Sequence, residues 1–260
     1  LQFYNGIKTS DIQETVIKSA ADLITEDTPN YQHVAGRLIS YHIRKDVYAR
    51  FEPWHITKLI KHNIELGLYD PHLLEDYTED EWEQINSYIK HSRDEMLSYV
   101  AMEQFRGKYL VQNRVTGEIY ESPQMTYMLI AATLFSSYGK STRLQYVKDY
   151  YDAISTHQIS LPTPVMAGVR TSLRQFSSCV LIETDDSLDS INATSSSIVR
   201  YVSQKAGIGI NAGRIRAIKS PIRKGDAYHT GVIPFYKLFQ AATRSCSQGG
   251  VRNGAATLYY

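Results

Sequence analysis

Residues 179–211 read CVLIETDDSLDSINATSSSIVRYVSQKAGIGIN, and this stretch decides the fold of the last part of the chain. It opens with Cys179–Glu183, a short apolar run that predicts a buried β-strand. Ser187 to Ala206 has the period and the length of a helix, and the glycine-rich run from Gly207 to Ile215 predicts a second strand. A helix between two strands is typical of parallel α/β architecture.

The alternation of helix and strand continues downstream of this stretch. A basic loop, a helix, a glycine-rich loop and a final strand are predicted at residues 216–230, 232–246, 247–254 and 255–260. The order strand, helix, strand, helix, strand favours a sheet of parallel strands with helices on its face. The last part of the chain is therefore predicted to be an α/β domain.

Residues 1–160 are predicted to be mainly helical, and two capping boxes mark helix starts. Ser10 with Gln13 and Thr78 with Glu81 each place a hydroxyl side chain three positions before a Glu or Gln. Between the later helices, the alternation from Leu110 to Tyr120 predicts a β-hairpin. The fold class is therefore α/β with a large helical N-terminal part.

The charge of the chain changes sign close to the boundary between these two parts. The formal net charge is +1, yet residues 1–160 carry 22 acidic and 16 basic side chains, whereas residues 161–260 carry 5 and 12. The pattern of the sequence also changes after Leu161-Pro-Thr-Pro164, so we place the boundary near residues 160–177. An anionic ligand is expected in the basic part.

Composition excludes several classes of protein. Of the 260 residues, 43% are hydrophobic and 21% are charged, which is typical of a globular chain and excludes a disordered tail. With 2 cysteines no disulfide scaffold can form, so a reducing compartment is expected. The longest apolar run, Met128–Phe135, is far shorter than the roughly 20 residues that span a bilayer. No membrane segment is predicted, and the lack of long basic runs with interleaved aromatics argues against nucleic acid.

Two glycine-rich motifs leave alternatives open. Gly207-Ile-Gly-Ile-Asn-Ala212 matches a relaxed dinucleotide-binding pattern, but a helix precedes it and a strand follows, which is the wrong context. We therefore favour close backbone packing there. The loop from Ser247 to Gly254 contains three glycines, one Arg and one Gln. It is either an ordinary connection or a mobile functional loop.

Polar and sulfur side chains in the last part also permit two interpretations. The basic stretch formed by Arg214, Arg216, Lys219, Arg223 and Lys224 suits phosphate, although a solvated surface loop would look the same. Cys179 stands at a strand end, either as a reactive thiol or as a small buried hydrophobe. Cys246 lies 67 positions further on and the histidines lack ligand spacing, so no metal site is predicted; His229 alone lies beside the basic stretch.

Longer segments carry a resemblance to a known family. ISLPTPVMAGVRT (159–171), the 179–211 stretch, HTGVIPFYKLFQAATRSCSQGGVRNGAATLYY (229–260) and KYLVQNRVTGEIYE (108–121) occur in the order of that family. The chain closely resembles the large (alpha, catalytic) subunit of class I ribonucleotide reductase, of the aerobic bacterial and bacteriophage type. The resemblance implies reduction of ribonucleoside diphosphates in a ten-stranded α/β barrel. It implies incomplete ATP-cone-like helices at 1–50, a helical domain with a hairpin at 51–176 and the first barrel strands at 177–260.

The resemblance assigns roles to residues near the first strand. Cys179 matches the first cysteine of a redox pair, which supplies two electrons after a thiyl radical has removed the substrate 3′ hydrogen. Thr163 and Ser178 match substrate-contacting positions, and Gly207 is expected to line the same pocket. The thiyl cysteine, its Asn and Glu helpers and the second redox cysteine lie downstream in the family. This chain alone is therefore expected to be inactive, as one piece of a split or longer subunit.

The resemblance also implies an allosteric site for a deoxynucleotide effector. Asp186, Ser187 and Leu188 match the segment that binds its ribose and base, and Arg216 and Arg223 match ligands of its phosphates. The loop that transmits effector identity to the substrate would consist of Ser247, Gln248, Gly249, Gly250, Val251, Arg252 and Asn253.

At the N-terminus, Thr9 and Lys45 match nucleotide contacts of the family's ATP-cone, but the cone strands that precede them in the family are missing. Overall activity control by ATP and dATP is predicted to be weak or absent.

Partners and cofactors follow from the same resemblance. The radical would come from a metal-containing small (beta) subunit, and thioredoxin or glutaredoxin would supply reducing equivalents. Effectors would be dNTP or ATP with Mg²⁺, no cofactor would be bound covalently, and the chain would pair as an alpha–alpha homodimer or with the remaining alpha polypeptide. The expected location is the bacterial cytoplasm, including that of a phage-infected cell. The alternative is a non-catalytic nucleotide-binding regulatory module that retains only the effector site.

Overall fold

Helices make up the first part of the chain and a parallel sheet organises the last part in the computed structural model, which describes residues 3–247 and 254–260. The chain divides into two units, Leu1–Arg174 and Gln175–Tyr260. The predicted fold class, a helical part followed by a parallel α/β part, is confirmed. The predicted subdivision near residue 50 stays a prediction. No helix in the described ranges is both long and apolar enough to cross a membrane.

The first unit is built from eight α-helices in its described residues. They are α1 (Thr9–Ala21), α2 (Tyr31–Tyr48), α3 (Ile56–Glu65), α4 (Glu79–Tyr88), α5 (Tyr99–Gln104), α6 (Pro123–Phe135), α7 (Arg143–Ser155) and α8 (Thr163–Gly168). Short 3₁₀ turns cover Pro71–Leu74 and His91–Met96, and a π turn covers Phe105–Tyr109. Helix α6 forms the centre of this unit, because every residue from 123 to 132 is buried.

Of the two predicted capping boxes, one is present and one is wrong. The Glu81 N–H donates to Thr78 Oγ1 at 3.3 Å, and the Thr78 N–H donates to Glu81 Oε2 at 2.8 Å, so the box before α4 is confirmed. Helix α1 instead begins one residue before Ser10 and has no side-chain cap. Gln13 cannot close a box there because its Oε1 lies 2.6 Å from His42 Nδ1 on α2.

The hairpin predicted from Leu110 to Tyr120 is reduced to a single bridge between Gln112 and Ile119. Two backbone hydrogen bonds flank this bridge, from the Asn113 N–H to the Glu118 carbonyl at 2.8 Å and from the Tyr120 N–H to the Val111 carbonyl at 3.0 Å, but beyond them side chains replace the ladder. The Val111 N–H donates to the buried Glu121 carboxylate at 2.6 Å, and the Asn63 side-chain amide donates to the Tyr120 carbonyl at 3.0 Å. The predicted hairpin is therefore present in a shortened form, and tertiary contacts fix its outer end.

The second unit contains the predicted parallel sheet. Its strands are β1 (Cys179–Glu183), β2 (Gly207–Asn211) and β5 (Ala256–Tyr259), ordered β1-β2-β5 with both pairings parallel. Helix α9 (Leu188–Ser203) connects β1 to β2, and α10 (Ile233–Ser245) precedes β5. The basic loop folds into a small antiparallel pair, β3 (Pro221–Ile222) and β4 (Ala227–Tyr228).

The prediction that β1 is buried is wrong. Strand β1 pairs with β2 alone among the described residues, so it forms an edge of the sheet. Val180 and Ile182 pack against the core between sheet and helices, whereas the side chain of Leu181 points the other way and is 80% exposed. Alternation across a pleated strand explains the difference, because the helices cover only one face.

Candidate functional site

The amino ends of β1 and β2 bring three of the predicted site residues together. Cys179 is paired with Gly207 in the sheet register, and the Ser178 carbonyl accepts a hydrogen bond from the Gly207 N–H at 2.9 Å. The thiol of Cys179 is free and exposed. It is therefore accessible to a reaction partner, and the buried-hydrophobe interpretation does not apply in the described chain. Thr163, the fourth residue of this set, begins α8 in the other unit.

The opposite ends of the same strands lead to a second group of predicted residues. Asp186 and Ser187 lie in the short loop between β1 and α9, and Leu188 is the first residue of α9. The Ser187 Oγ caps α9 by accepting a hydrogen bond from the Ser190 N–H at 3.1 Å. This places polar groups and the start of a helix beyond the carboxyl ends of parallel strands, which is where open α/β sheets bind ligands.

Arg216 follows β2 and is held by Asp186. Its Nε donates to Asp186 Oδ2 at 2.6 Å, and its backbone N–H donates to Asp186 Oδ1 at 3.1 Å. Burial acts to raise the pKa of Asp186, but the hydrogen bonds and the charge of Arg216 outweigh it and lower that pKa. Asp186 is therefore an anion at neutral pH, and it orients the Arg216 guanidinium.

Arg223 lies at the turn between β3 and β4. The turn requires positive φ at Arg223 (51°), Lys224 (57°) and Gly225 (95°). The Arg223 side chain is exposed and forms no ion pair with any described residue. It is therefore available to an anionic ligand.

One cavity collects all five predicted effector residues. It has a volume of about 430 Å³ and is lined by Asp186, Ser187, Leu188, Ile191, Arg216, Ile222, Arg223, Tyr228, His229, Thr230 and Phe235. The sequence pointed to the acidic segment and the two arginines, and to His229 only as a neighbour. It missed Tyr228 and Thr230, because the pattern of residues 216–230 predicts an irregular loop rather than a hairpin, and it missed Phe235, which α10 brings to the cavity. The Gly-Asp pair at 225–226 between short extended runs was the available signal.

The basic residues of the predicted stretch occupy two different environments in the structure. Arg214 is neutralised outside the cavity lining, since its Nη1 lies 2.8 Å from Asp185 Oδ1 and its Nη2 lies 3.1 Å from Glu183 Oε1. Of the five basic residues, Arg216 and Arg223 line the cavity. An anion-binding role for Arg216 and Arg223 stays a prediction, and their place in the cavity lining is consistent with it.

The glycine motif at 207–212 serves close packing at Gly209. A Cβ at this position would lie 2.6 Å from Leu181 Cδ2 and 3.4 Å from Tyr259 Cε2, on the two neighbouring strands. Residues 248–253, with the predicted loop positions Gln248, Gly249, Gly250, Val251, Arg252 and Asn253, lie outside the described residues. At the described ends of that loop, the Gly254 N–H donates to Ser247 Oγ at 2.7 Å.

The remaining predicted positions lie on the first two helices. Thr9 begins α1 and Lys45 is in the last turn of α2, and both are exposed. Their role in nucleotide binding stays a prediction.

Across 3–247 and 254–260, no three His, Cys, Asp or Glu side chains converge in a way that could hold a metal ion.

Comparisons with known proteins agree across the chain. Residues 177–260 match the family model "Ribonucleotide reductase, barrel domain", and residues 95–174 match "Ribonucleotide reductase, all-alpha domain". Ribonucleoside-diphosphate reductase 1 subunit alpha of Escherichia coli K12 is 66% identical over 260 residues, which is 100% of this chain and 34% of that protein. The corresponding alpha subunit of Enterobacteria phage T4 is 51% identical over 256 residues, or 98% of this chain and 34% of that protein. The chain thus spans about a third of the length of these curated relatives.

Proposed function

Since the chain belongs to the family of ribonucleotide reductase large subunits, we propose that it contributes part of the active site and a regulatory nucleotide site to a ribonucleoside-diphosphate reductase. The complete enzyme would convert ribonucleoside diphosphates into 2′-deoxyribonucleoside diphosphates for DNA synthesis. The observation that carries the regulatory role is the cavity in which two arginines face the capped start of α9.

Cys179 is the residue proposed for the redox step. Its thiol and a second thiol, which the rest of the subunit would supply, give up two electrons and two protons and join as a disulfide. The substrate's 2′ hydroxyl leaves as water, and a C–H bond replaces the C–O bond. The exposed thiol at the amino end of β1 supports this role, because disulfide exchange requires access to the sulfur. Ser178, Gly207 and Thr163 are proposed substrate contacts.

The cavity beyond the carboxyl ends of β1 and β2 is proposed to bind a deoxynucleoside triphosphate with Mg²⁺. Arg216 and Arg223 would bind phosphate oxygens, for which a guanidinium offers several fixed donors. Asp186, Ser187 and Leu188 would contact the ribose and base. A volume of about 430 Å³ falls within the range of small-molecule pockets. Effector identity would then select the substrate through residues 247–253.

Further partners belong to the complete enzyme. We propose a small subunit with a metal centre as the source of the radical, thioredoxin or glutaredoxin as reductant, and pairing with a second alpha chain or with the remaining alpha polypeptide. The proposed location is the bacterial cytoplasm.

Equilibrium dialysis of the 260-residue chain with labelled dTTP and dATP tests the regulatory site. We expect saturable binding that Arg216→Ala and Arg223→Ala each weaken, whereas Arg214→Ala, whose partners are Glu183 and Asp185, does not. Absence of dNTP binding would refute the regulatory site. Binding without any reductase activity in the assembled alpha subunit would favour the non-catalytic module instead.

A further inference from the structure

His229 occupies a fixed position at the end of the ribbon, as we call β3, β4 and the turn between them, which contributes Ile222, Arg223 and Tyr228 to the cavity lining. It directly follows β4, and its backbone is bound on both sides to the opposite strand segment. The His229 N–H donates to the Ser220 carbonyl at 2.9 Å, and the His229 carbonyl accepts from the Lys219 N–H at 2.9 Å. The backbone of this residue is therefore held as firmly as that of the hairpin itself.

The imidazole ring is also held, by a stack and by a hydrogen bond. Its centroid lies 5.8 Å from that of Phe235, with 21° between the ring planes. The Gly231 N–H donates to His229 Nδ1 at 3.1 Å, and Gly231 adopts a φ of +94° to make this turn. A neutral imidazole that accepts at Nδ1 carries its proton on Nε2. The structure thus presents His229 as an oriented N–H donor.

This donor has no partner within the described chain. Nδ1 is the ring atom that is hydrogen-bonded, and Nε2 binds no described residue, although His229 lines the cavity together with Asp186, Arg216 and Arg223. Arg216 already directs Nε to Asp186 and Nη1 to the Pro221 carbonyl, at 3.3 Å, so part of its guanidinium is engaged. A ligand with several anionic oxygens would therefore carry more acceptor atoms than the two arginines alone can satisfy, and it could use a third donor.

We propose that His229 is a third phosphate-binding residue of this cavity, donating from Nε2 to the phosphate chain of the bound deoxynucleotide. This inference rests on the proposed effector site. Arg223 lies on the same ribbon as His229, and Arg216 is bound to it by the hydrogen bond from its Nη1 to the Pro221 carbonyl, whereas Ser187 and Leu188 bring the start of α9 to the same cavity. The phosphate chain would lie along the ribbon, and the nucleoside would face the start of the helix.

Two substitutions test the Nε2 hydrogen bond separately from the other contacts of the His229 ring. His229→Asn keeps an acceptor near the position of Nδ1 for the Gly231 N–H but has no group at Nε2. His229→Gln keeps an N–H donor at about the reach of Nε2. His72→Asn, at an exposed histidine on the 3₁₀ turn Pro71–Leu74, is the matched control. Affinity for dTTP is measured by equilibrium dialysis, and affinity for thymidine by ligand-observed NMR, on the full chain.

We expect His229→Asn to bind dTTP roughly tenfold to a hundredfold more weakly, as for loss of a hydrogen bond to a charged group. His229→Gln and His72→Asn should stay within about threefold of the unsubstituted chain, and thymidine affinity should not change. Unchanged affinity for dTTP in His229→Asn overturns the inference. So does a loss of thymidine affinity as large as the loss of dTTP affinity in that variant, or a loss of dTTP affinity in His229→Gln as large as in His229→Asn. If Arg216→Ala weakens dTTP binding and His229→Asn does not, this inference fails while the proposed effector site stands. If the unsubstituted chain binds no dTTP, both fail.

Discussion

Arg170 and Glu121 form a completely buried, two-pronged ion pair in the helical unit. Arg170 donates from Nε and Nη2 to the two carboxylate oxygens of Glu121, and from Nη1 to the Met166 carbonyl at 2.7 Å. The Tyr69 hydroxyl also donates to this carboxylate. Neither charged side chain has any exposed surface, so each is the buried counter-ion of the other.

Arg170→Met is therefore expected to destabilise the chain by about 3–5 kcal/mol, because it leaves the Glu121 carboxylate buried without its counter-ion. The free energy of unfolding is measured by urea titration. Arg174→Met is the matched control, since the Arg174 side chain is 64% exposed and its ion pair with Asp70 should contribute less than about 1 kcal/mol. Equal losses in the two variants would contradict the importance of burial.

Gly36 on α2 and Gly209 on β2 offer a second matched pair. A Cβ at Gly36 would overlap the backbone carbonyl oxygen of Leu97, which cannot move alone. A Cβ at Gly209 would meet mainly Leu181 Cδ2, at the end of a side chain that is 80% exposed. We expect Gly36→Ala to cost about 3 kcal/mol or more and Gly209→Ala less than about 1 kcal/mol. Thermal and urea unfolding measure both, and a larger loss at Gly209 would be inconsistent with this packing.

Asp94, which is fully buried, and His91, which is half-buried, lie near Arg44 and should make stability depend on pH in opposite directions. Burial raises the pKa of Asp94 from 3.8 to about 6, against the lowering effect of Arg44. The native state therefore binds a proton that the unfolded chain has lost, so this contribution weakens as pH rises from about 4 to 6. Burial and the Arg44 charge lower the pKa of His91 from 6.5 to about 4, so its contribution weakens as pH falls over the same range.

Asp94→Asn should remove the contribution of Asp94 to the pH dependence of stability and leave that of His91. The free energy of unfolding of this variant is expected to fall more steeply between pH 6 and 4.5 than that of the unsubstituted chain. His91→Gln should show the reverse, with a shallower fall or a rise. Urea titrations at a series of pH values measure these slopes, and parallel slopes in all three proteins would exclude this pair as the source.

Cys179→Ser should abolish multiple turnover in the assembled reductase while dNTP binding remains intact. The hydroxyl of serine cannot form the disulfide, and Cys179 lies at the opposite end of β1 from Asp186. Formation of dCDP from CDP measures turnover, and dialysis measures binding. Normal steady-state activity would refute the redox role.

Arg252→Ala should uncouple effector identity from substrate choice. Coupling between an effector site and a substrate site requires contacts that differ between two states of the protein. Arg252 is the positively charged residue of the predicted loop, so we expect it to make such contacts. The ratio of CDP to ADP reduction is measured with dTTP and with dATP as effectors. An unchanged dependence of this ratio on the effector would count against the loop's role.

Local pattern was sufficient for the order and type of most elements. The bounds of β1, the helix after Ser187 and the capping box at Thr78 could be predicted because hydrophobic period and capping act within a few residues. The box at Ser10 is absent and the hairpin after Leu110 is shorter than predicted, for one shared reason. In both places a side chain from elsewhere in the helical unit, His42 in one and Asn63 in the other, engages the groups that the local pattern needs.

The sequence by itself determined the alternation of strand and helix after residue 177, the change of charge, and the residues that resemble reductase positions. Only the tertiary structure decided that Asp186 holds Arg216, that Arg214 is neutralised by Glu183 and Asp185, and that His229 offers a fixed donor to the same cavity. The physical reason is the separation along the chain of the residues that interact. Periodicity and caps depend on neighbours along the chain, whereas the direction of a charged side chain depends on the partners that the folded sheet and ribbon place beside it.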